Sequence, residues 1–229
     1  SHDVVIGWVH PDLVHAAFMS SLLQTVAFDH RQGGGRIAGC SGVPCSANVS
    51  DGRNQVVHWF LESPADWLMM VDTDMVWEPD AMHHLLAVAD PDDTPIVGGL
   101  CFALEQRTGA VWPTLFGETE FEGRPRLTRF KVWDRDVLWP VAATGAAFLL
   151  VHRRVFDEVR GRGFSRAFPW FQETENEYGR VSEDITFCLR ARQCGFPIFV
   201  HTGVELGHVK SHIVDAALFA ARQGVGGAS

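Results

Sequence analysis

The sequence has no apolar run approaching the ~20 residues that a membrane-crossing helix needs, so no membrane span is expected. No basic stretch followed by an apolar segment precedes the first strand-like run, and no secretory signal is expected. Cysteine is sparse: Cys40, Cys45, Cys101, Cys188 and Cys194 are odd in number and show no CxxC spacing. That pattern argues against a disulfide framework or zinc knuckle and for reduced thiols in a cytoplasmic compartment. Lysine is nearly missing, with Lys131 and Lys210 alone, and no internal repeat or linker divides the chain. Positive charge is in deficit, and a net charge of −9 disfavours holding nucleic acid by broad phosphate neutralisation. Arg124, Arg126, Arg129, Lys131 and Arg135 form one local exception, read as a solvated hairpin face or a local basic groove.

What is present suits a globular protein. The 229 residues are 46% hydrophobic and 21% charged, which fits one domain with its own core. Val4 to Val9 reads as a strand buried on both faces, and Pro11-Asp12 then opens a helix carrying Val14, Phe18 and Leu22. A strand over 36–41 is followed by a helix capped by Ser50 or Asp51, with Val56, Val57, Phe60 and Leu61 on one face. The third unit is a strand over 66–71, then Asp72-Thr73-Asp74, then a helix begun by Glu78-Pro79-Asp80. Ile96 to Cys101 is a fourth strand. The stretch 103–140 lacks helical period and carries turn chemistry at Glu122-Gly123, which predicts a β-hairpin insertion. A strand over 146–151, helices over 153–159 and 183–193, a strand over 197–201 and a final amphipathic helix over 211–223 complete the reading. Alternating βα units predict an α/β fold, a mostly parallel sheet with helices on both faces. Such sheets bind ligands beyond the carboxyl ends of their strands.

Asp72 and Asp74 follow the most apolar strand and stand at that position. Two like charges so close raise each other's pKa unless a cation neutralises them. Hard carboxylate oxygens suit Mg²⁺ or Mn²⁺ and leave coordination positions for phosphate. A strand-ending turn in which both aspartates cap the next helix explains the same residues. Glu183-Asp184 opens a helix, where the dipole favours acid in any case. Arg53-Asn54 falls in the first helical turn, where a cation opposes the dipole and a ligand role gains weight. His208, after Gly207, lies beyond the last strand.

In this order (Arg53-Asn54, Asp72-Thr73-Asp74, Thr144-Gly145-Ala146, Glu183-Asp184 and Gly207-His208) the sequence resembles the GT-A-fold, nucleotide-sugar-dependent glycosyltransferases. The likeness is to the inverting family 2 group with its phage and bacterial relatives, and runs from Val4 to about Lys210. It implies one Rossmann-like domain over 1–229, with a nucleotide-binding half at about 3–102, an acceptor and catalytic half at about 103–210, and a C-terminal helix and tail over 211–229. It implies that Asp74 ligates Mn²⁺ or Mg²⁺, that Asp72 faces ribose and metal, and that His208 is the third ligand. Trp8, Val9, His10 and Pro11 would line the nucleobase pocket, with Arg53, Asn54, Thr73 and Gly145 also on the donor side. Asp184 would be the general base and Glu183 its support or an acceptor contact. Thr144, Trp170 and Phe171 would meet the acceptor.

The resemblance makes the donor a nucleoside diphosphate sugar, UDP-sugar being expected, and the acceptor a protein side chain, a modified DNA base or a small glycan. A phage-encoded chain would act in the host cytoplasm. Two departures from the family stand out. The second strand ends in Gly39-Cys40-Ser41-Gly42, without the acid that often reads the nucleobase, and the aromatic motif of processive synthases is absent after Glu183-Asp184. A non-processive hexosyltransferase is expected. Two other readings compete: a haloacid-dehalogenase-like phosphatase with Asp72 as nucleophile and Asp74 as acid/base, and a nucleotide-sugar-binding module without turnover.

Overall fold

A computed structural model describes residues 3–45, 48–105 and 108–210. The elements run β1 (Val4–His10), α1 (Ala16–Phe28), a π-helical turn (Asp29–Gly33), β2 (Ile37–Pro44), α2 (Val49–Glu62), β3 (Trp67–Val71), β4 (Met75–Val76), α3 (Ala81–Val88) and β5 (Ile96–Leu100). The insertion follows as β6 (Phe102–Leu104), β7 (Val111–Pro113), β8 (Leu115–Phe121) and β9 (Arg124–Arg129). Then come β10 (Leu138–Val141), β11 (Ala143–Thr144), β12 (Phe148–His152), α4 (Arg153–Gly161), β13 (Thr174–Asn176), β14 (Gly179–Val181), α5 (Glu183–Gln193), β15 (Ile198–Glu205) and β16 (Gly207–His208).

The central sheet has the order β10-β15-β5-β12-β3-β1-β2. β1, β2, β3, β5 and β15 run one way, while β12 and the edge strand β10 run the other, which gives the expected mostly parallel sheet. Strand alternation divides the core between the two faces. Val5, Leu68 and Met70 pack under α2, α4 and α5, whereas Val4, Ile6, Met69 and Val71 pack under α1 and α3. Every residue of β3 is buried, as an apolar strand covered on both sides must be. Each such large side chain contributes about 1.5–3 kcal/mol.

The expected hairpin is β8–β9, turning at Glu122, whose φ of 52° is left-handed, and Gly123. α5 begins and ends as read, and the stop at Gly195 has a φ of 89°. Other boundaries move. α1 starts at Ala16, leaving Pro11 and Asp12 in the loop, and Asn48 rather than Ser50 or Asp51 caps α2 by accepting from the Asp51 amide at 3.3 Å. α2 therefore begins early enough to put Arg53 in its second turn, not its first. The two-residue strands β4 and β16, and the β13–β14 hairpin, are too short to leave a periodic signal. The expected final helix over 211–223 lies outside the described residues.

Candidate active site

Val9, His10 and Pro11 leave the end of β1, Asp72-Thr73-Asp74 the end of β3, and Glu183-Asp184 the start of α5; all line one cleft of ≈ 430 Å³. Cys45, Val49 and Arg53 close it from the α2 side. α2 lies tightly on β1 because Gly52 has no side chain: a Cβ there would come within 2.5 Å of Val9 Cγ1. That approach delivers Arg53 to the cleft floor.

Arg53 is 5% exposed, and its guanidinium donates to Asp72 Oδ1 and to Glu183 Oε1, both at 2.8 Å. Its plane also lies over the Phe171 ring at 5.8 Å. Burial alone would lower the Arg53 pKa, but Asp72, Glu183 and Asp184 reverse the effect and push it up. Burial pushes Glu183 up; Arg53 opposes this, and Asp184 and Asp72 reinforce it.

The first turn of α5 sets Asp184 apart from its neighbour. Ser182 leaves the helix amides uncapped and gives its hydroxyl proton to Asp184 Oδ1, which also accepts from the Ile185 amide at 2.7 Å. Oδ2 has no hydrogen-bond partner among the described residues and stands over Gly145, where a Cβ would lie 3.4 Å away. β12 brings that loop to the centre by pairing with β3, and the Asp72 amide donates to the Ala147 carbonyl at 2.9 Å.

Asp74 has a second set of partners. β16 pairs with β4, and the Val209 amide donates to the Asp74 carbonyl at 2.7 Å. This crossing puts His208 Nε2 2.8 Å from Asp74 Oδ2, on which Lys210 Nζ also lies at 2.8 Å. The other ring nitrogen, Nδ1, is 2.8 Å from the Phe102 carbonyl. A carbonyl only accepts, so Nδ1 carries a proton and Nε2 is the atom turned to the carboxylate. Metal-bound histidines are oriented in this way. Burial raises the Asp74 pKa, but Lys210 and His208 outweigh it and hold the carboxyl below its ordinary value.

Several expected site residues lie elsewhere. Trp170 and Phe171 are wholly buried and are not an acceptor surface: the Trp170 indole donates to the Phe156 carbonyl at 2.7 Å, and Phe171 stacks on Phe187 with ring centres 4.7 Å apart. Asn54 is 3% exposed and clamps that segment, donating to the Phe171 carbonyl at 2.7 Å and accepting from the Trp170 amide at 3.2 Å. Thr144 is buried, its carbonyl accepting from the Cys188 thiol. The Trp8 ring turns toward Phe18, 5.6 Å away, and is not among the residues lining the cleft. Asp72 Oδ1 is held by Arg53, and no group of three His, Cys, Asp or Glu able to hold a metal occurs among the described residues. Of the expected ligands Asp72, Asp74 and His208, the last two meet directly, while Asp72 turns one oxygen to Arg53. Lys210 was given no site role from the sequence, although its spacing of two from His208 puts both on one side of an extended chain.

No helix among the described residues is long and apolar enough to cross a membrane. No curated protein matches the sequence. Among solved structures, A197 from STIV superposes with a TM-score of 0.53 at 15% identity, over 90% of this chain and 86% of that one. GalNAc-T7, in a crystal structure with UDP, GalNAc and Mn²⁺, superposes with a TM-score of 0.55 at 11% identity, over 91% of this chain. This chain covers 44% of GalNAc-T7, less than half its length. Both likenesses are of fold, and the fold is GT-A. The family description "Glycosyltransferase like family 2" matches residues 45–223, a span that takes in Arg53, Asp72, Asp74, Asp184 and His208. Because that match spans well over half of the chain, the protein belongs to glycosyltransferase-like family 2.

Proposed function

We propose that the protein moves a sugar from a nucleoside diphosphate, with uridine diphosphate the expected carrier, to an acceptor hydroxyl, inverting the anomeric carbon. The observation that carries this reading is the meeting in one cleft of the β1 end, the Asp72–Asp74 turn and the start of α5. The family and the fold agree with it, and the bound UDP and Mn²⁺ of GalNAc-T7 favour the choice of carrier and ion. Transfer is single rather than processive, and a hexose is the expected group.

Asp74 and His208 are of the ligand types that suit a divalent cation, Mn²⁺ or Mg²⁺: a carboxylate oxygen and an imidazole oriented by the Phe102 carbonyl. They now hydrogen-bond directly at 2.8 Å, with Lys210 on the same carboxylate oxygen, and an ion would take the place of those contacts. When bound, the cation supplies positive charge to the departing diphosphate. Asp72 acts at one remove, fixed by Arg53 at the cleft floor. Asp184 is the base. Oδ1 is committed to Ser182 and Ile185, which leaves Oδ2 to take the acceptor proton. The acceptor oxygen then bonds to the anomeric carbon as the carbon–oxygen bond to the diphosphate breaks, the electron pair leaving with the phosphate. Glu183 is held by Arg53 and orients that guanidinium.

Asp184→Asn tests the assignment. The variant keeps the affinity for UDP-sugar in a calorimetric titration, while turnover falls by about 10²–10⁴-fold. A wild-type protein that binds UDP-sugar and never releases UDP, whatever acceptor is offered, would be a binding module instead.

A further inference from the structure

A second cleft, of ≈ 520 Å³, lies between the β8–β9 hairpin, the β13–β14 hairpin and α5. Phe116, Leu127 and Ile185 give it an apolar floor. Arg126, Arg180, Glu118, Tyr178 and Ser182 stand among its polar lining, the Glu118 carboxylate being neutralised by Arg192. It meets the first cleft at the start of α5: Ser182 and Ile185, which line the second, are the two groups that hydrogen-bond Asp184, which lines the first. Anything seated there lies beside the proposed base.

The charges around this cleft are unevenly compensated. Arg124 pairs with Glu177, Arg180 with Glu173, and Arg192 with Glu118 at 2.7 Å. Arg126 has no carboxylate partner among the described residues; its guanidinium lies over the Phe121 ring at 5.2 Å and the Tyr178 ring at 5.4 Å. Two aromatic faces hold it in place and leave its edge donors for a ligand. In a chain of net charge −9, an unpaired, stacked arginine is not explained by a general excess of base.

We propose that this cleft is the acceptor site and takes a saccharide that bears an anionic group, phosphate or carboxylate. The anion meets Arg126, the C–H face of the sugar ring lies on the apolar floor, and a ring hydroxyl points to Asp184. The inference rests on the glycosyltransferase reading, since Asp184 as base is what gives the second cleft its role.

The test is titration calorimetry on the full chain with glucose 6-phosphate, glucuronic acid and methyl glucoside. At least one of the two anionic sugars binds about tenfold tighter than methyl glucoside, as one charge-assisted contact provides. The tighter anion identifies which acid the site prefers. Arg126→Gln removes the preference, and UDP affinity measured on the same sample reports separately on the first cleft. Equal affinity for all three sugars, binding of none, or a preference that survives Arg126→Gln overturns the proposal. No anion preference in the wild-type chain, with UDP binding intact, would sink this inference alone. Absent UDP binding with the preference intact would instead sink the donor reading.

Discussion

Arg53 is one guanidinium in contact with two carboxylates from different parts of the chain, Asp72 after β3 and Glu183 on α5. The cost of burying it is offset only while both partners remain. Arg53→Met leaves Glu183 buried without a cation and lowers stability by about 3 kcal/mol, to be read from the urea midpoint. Glu183 gives the pH dependence its sign. Its pKa is raised in the folded state, so its contribution to stability is present below the ordinary carboxylate pKa and lost as pH rises through the raised value. Glu183→Gln flattens the decline in urea midpoint on the alkaline side of pH 4.5; an unchanged slope would show that Glu183 is not the titrating group. The sequence exposed Arg53 because a cation near a helix start is unfavourable. It gave no sign that Trp170 and Phe171 are core, since their stretch has neither helical nor strand period.

At the scale of elements, the site depends on how closely α2 lies on β1. Gly52→Ala gains about 1 kcal/mol of helix propensity but forces a methyl group against Val9 and Cys45, an overpacking cost of about 1–3 kcal/mol. The net outcome is a loss of up to about 2 kcal/mol and weaker UDP binding, because Val9 and Arg53 move with the helix. Denaturation and titration of the same variant check both, and unaltered UDP affinity would separate α2 packing from the site. Strands with unbroken apolar runs, β1, β3 and β5, were legible in the sequence, as were α5 and the β8–β9 turn. β4 and β16 were not. Two residues cannot show a period, and their pairing is between chain segments far apart in sequence, so His208 was recognised through family order and not through any strand signal.

For the molecule as a whole, five strands running one way place their carboxyl ends along one edge, and the insertions after β5 and β12 build a second cleft beside it. The βα alternation announced the first part. The reversed β12 could not be read from it, because a strand's direction is set by where the chain re-enters after the insertion, not by its own residues. The donor cleft and its ion are the centre of the account. Calorimetric titration with UDP, with and without Mn²⁺, on the wild-type chain and on His208→Ala tests them most directly. Mn²⁺ should tighten UDP binding about tenfold or more in the wild type and by far less in the variant. Equal UDP affinity with and without Mn²⁺, or an ion effect untouched by the loss of His208, would contradict the account.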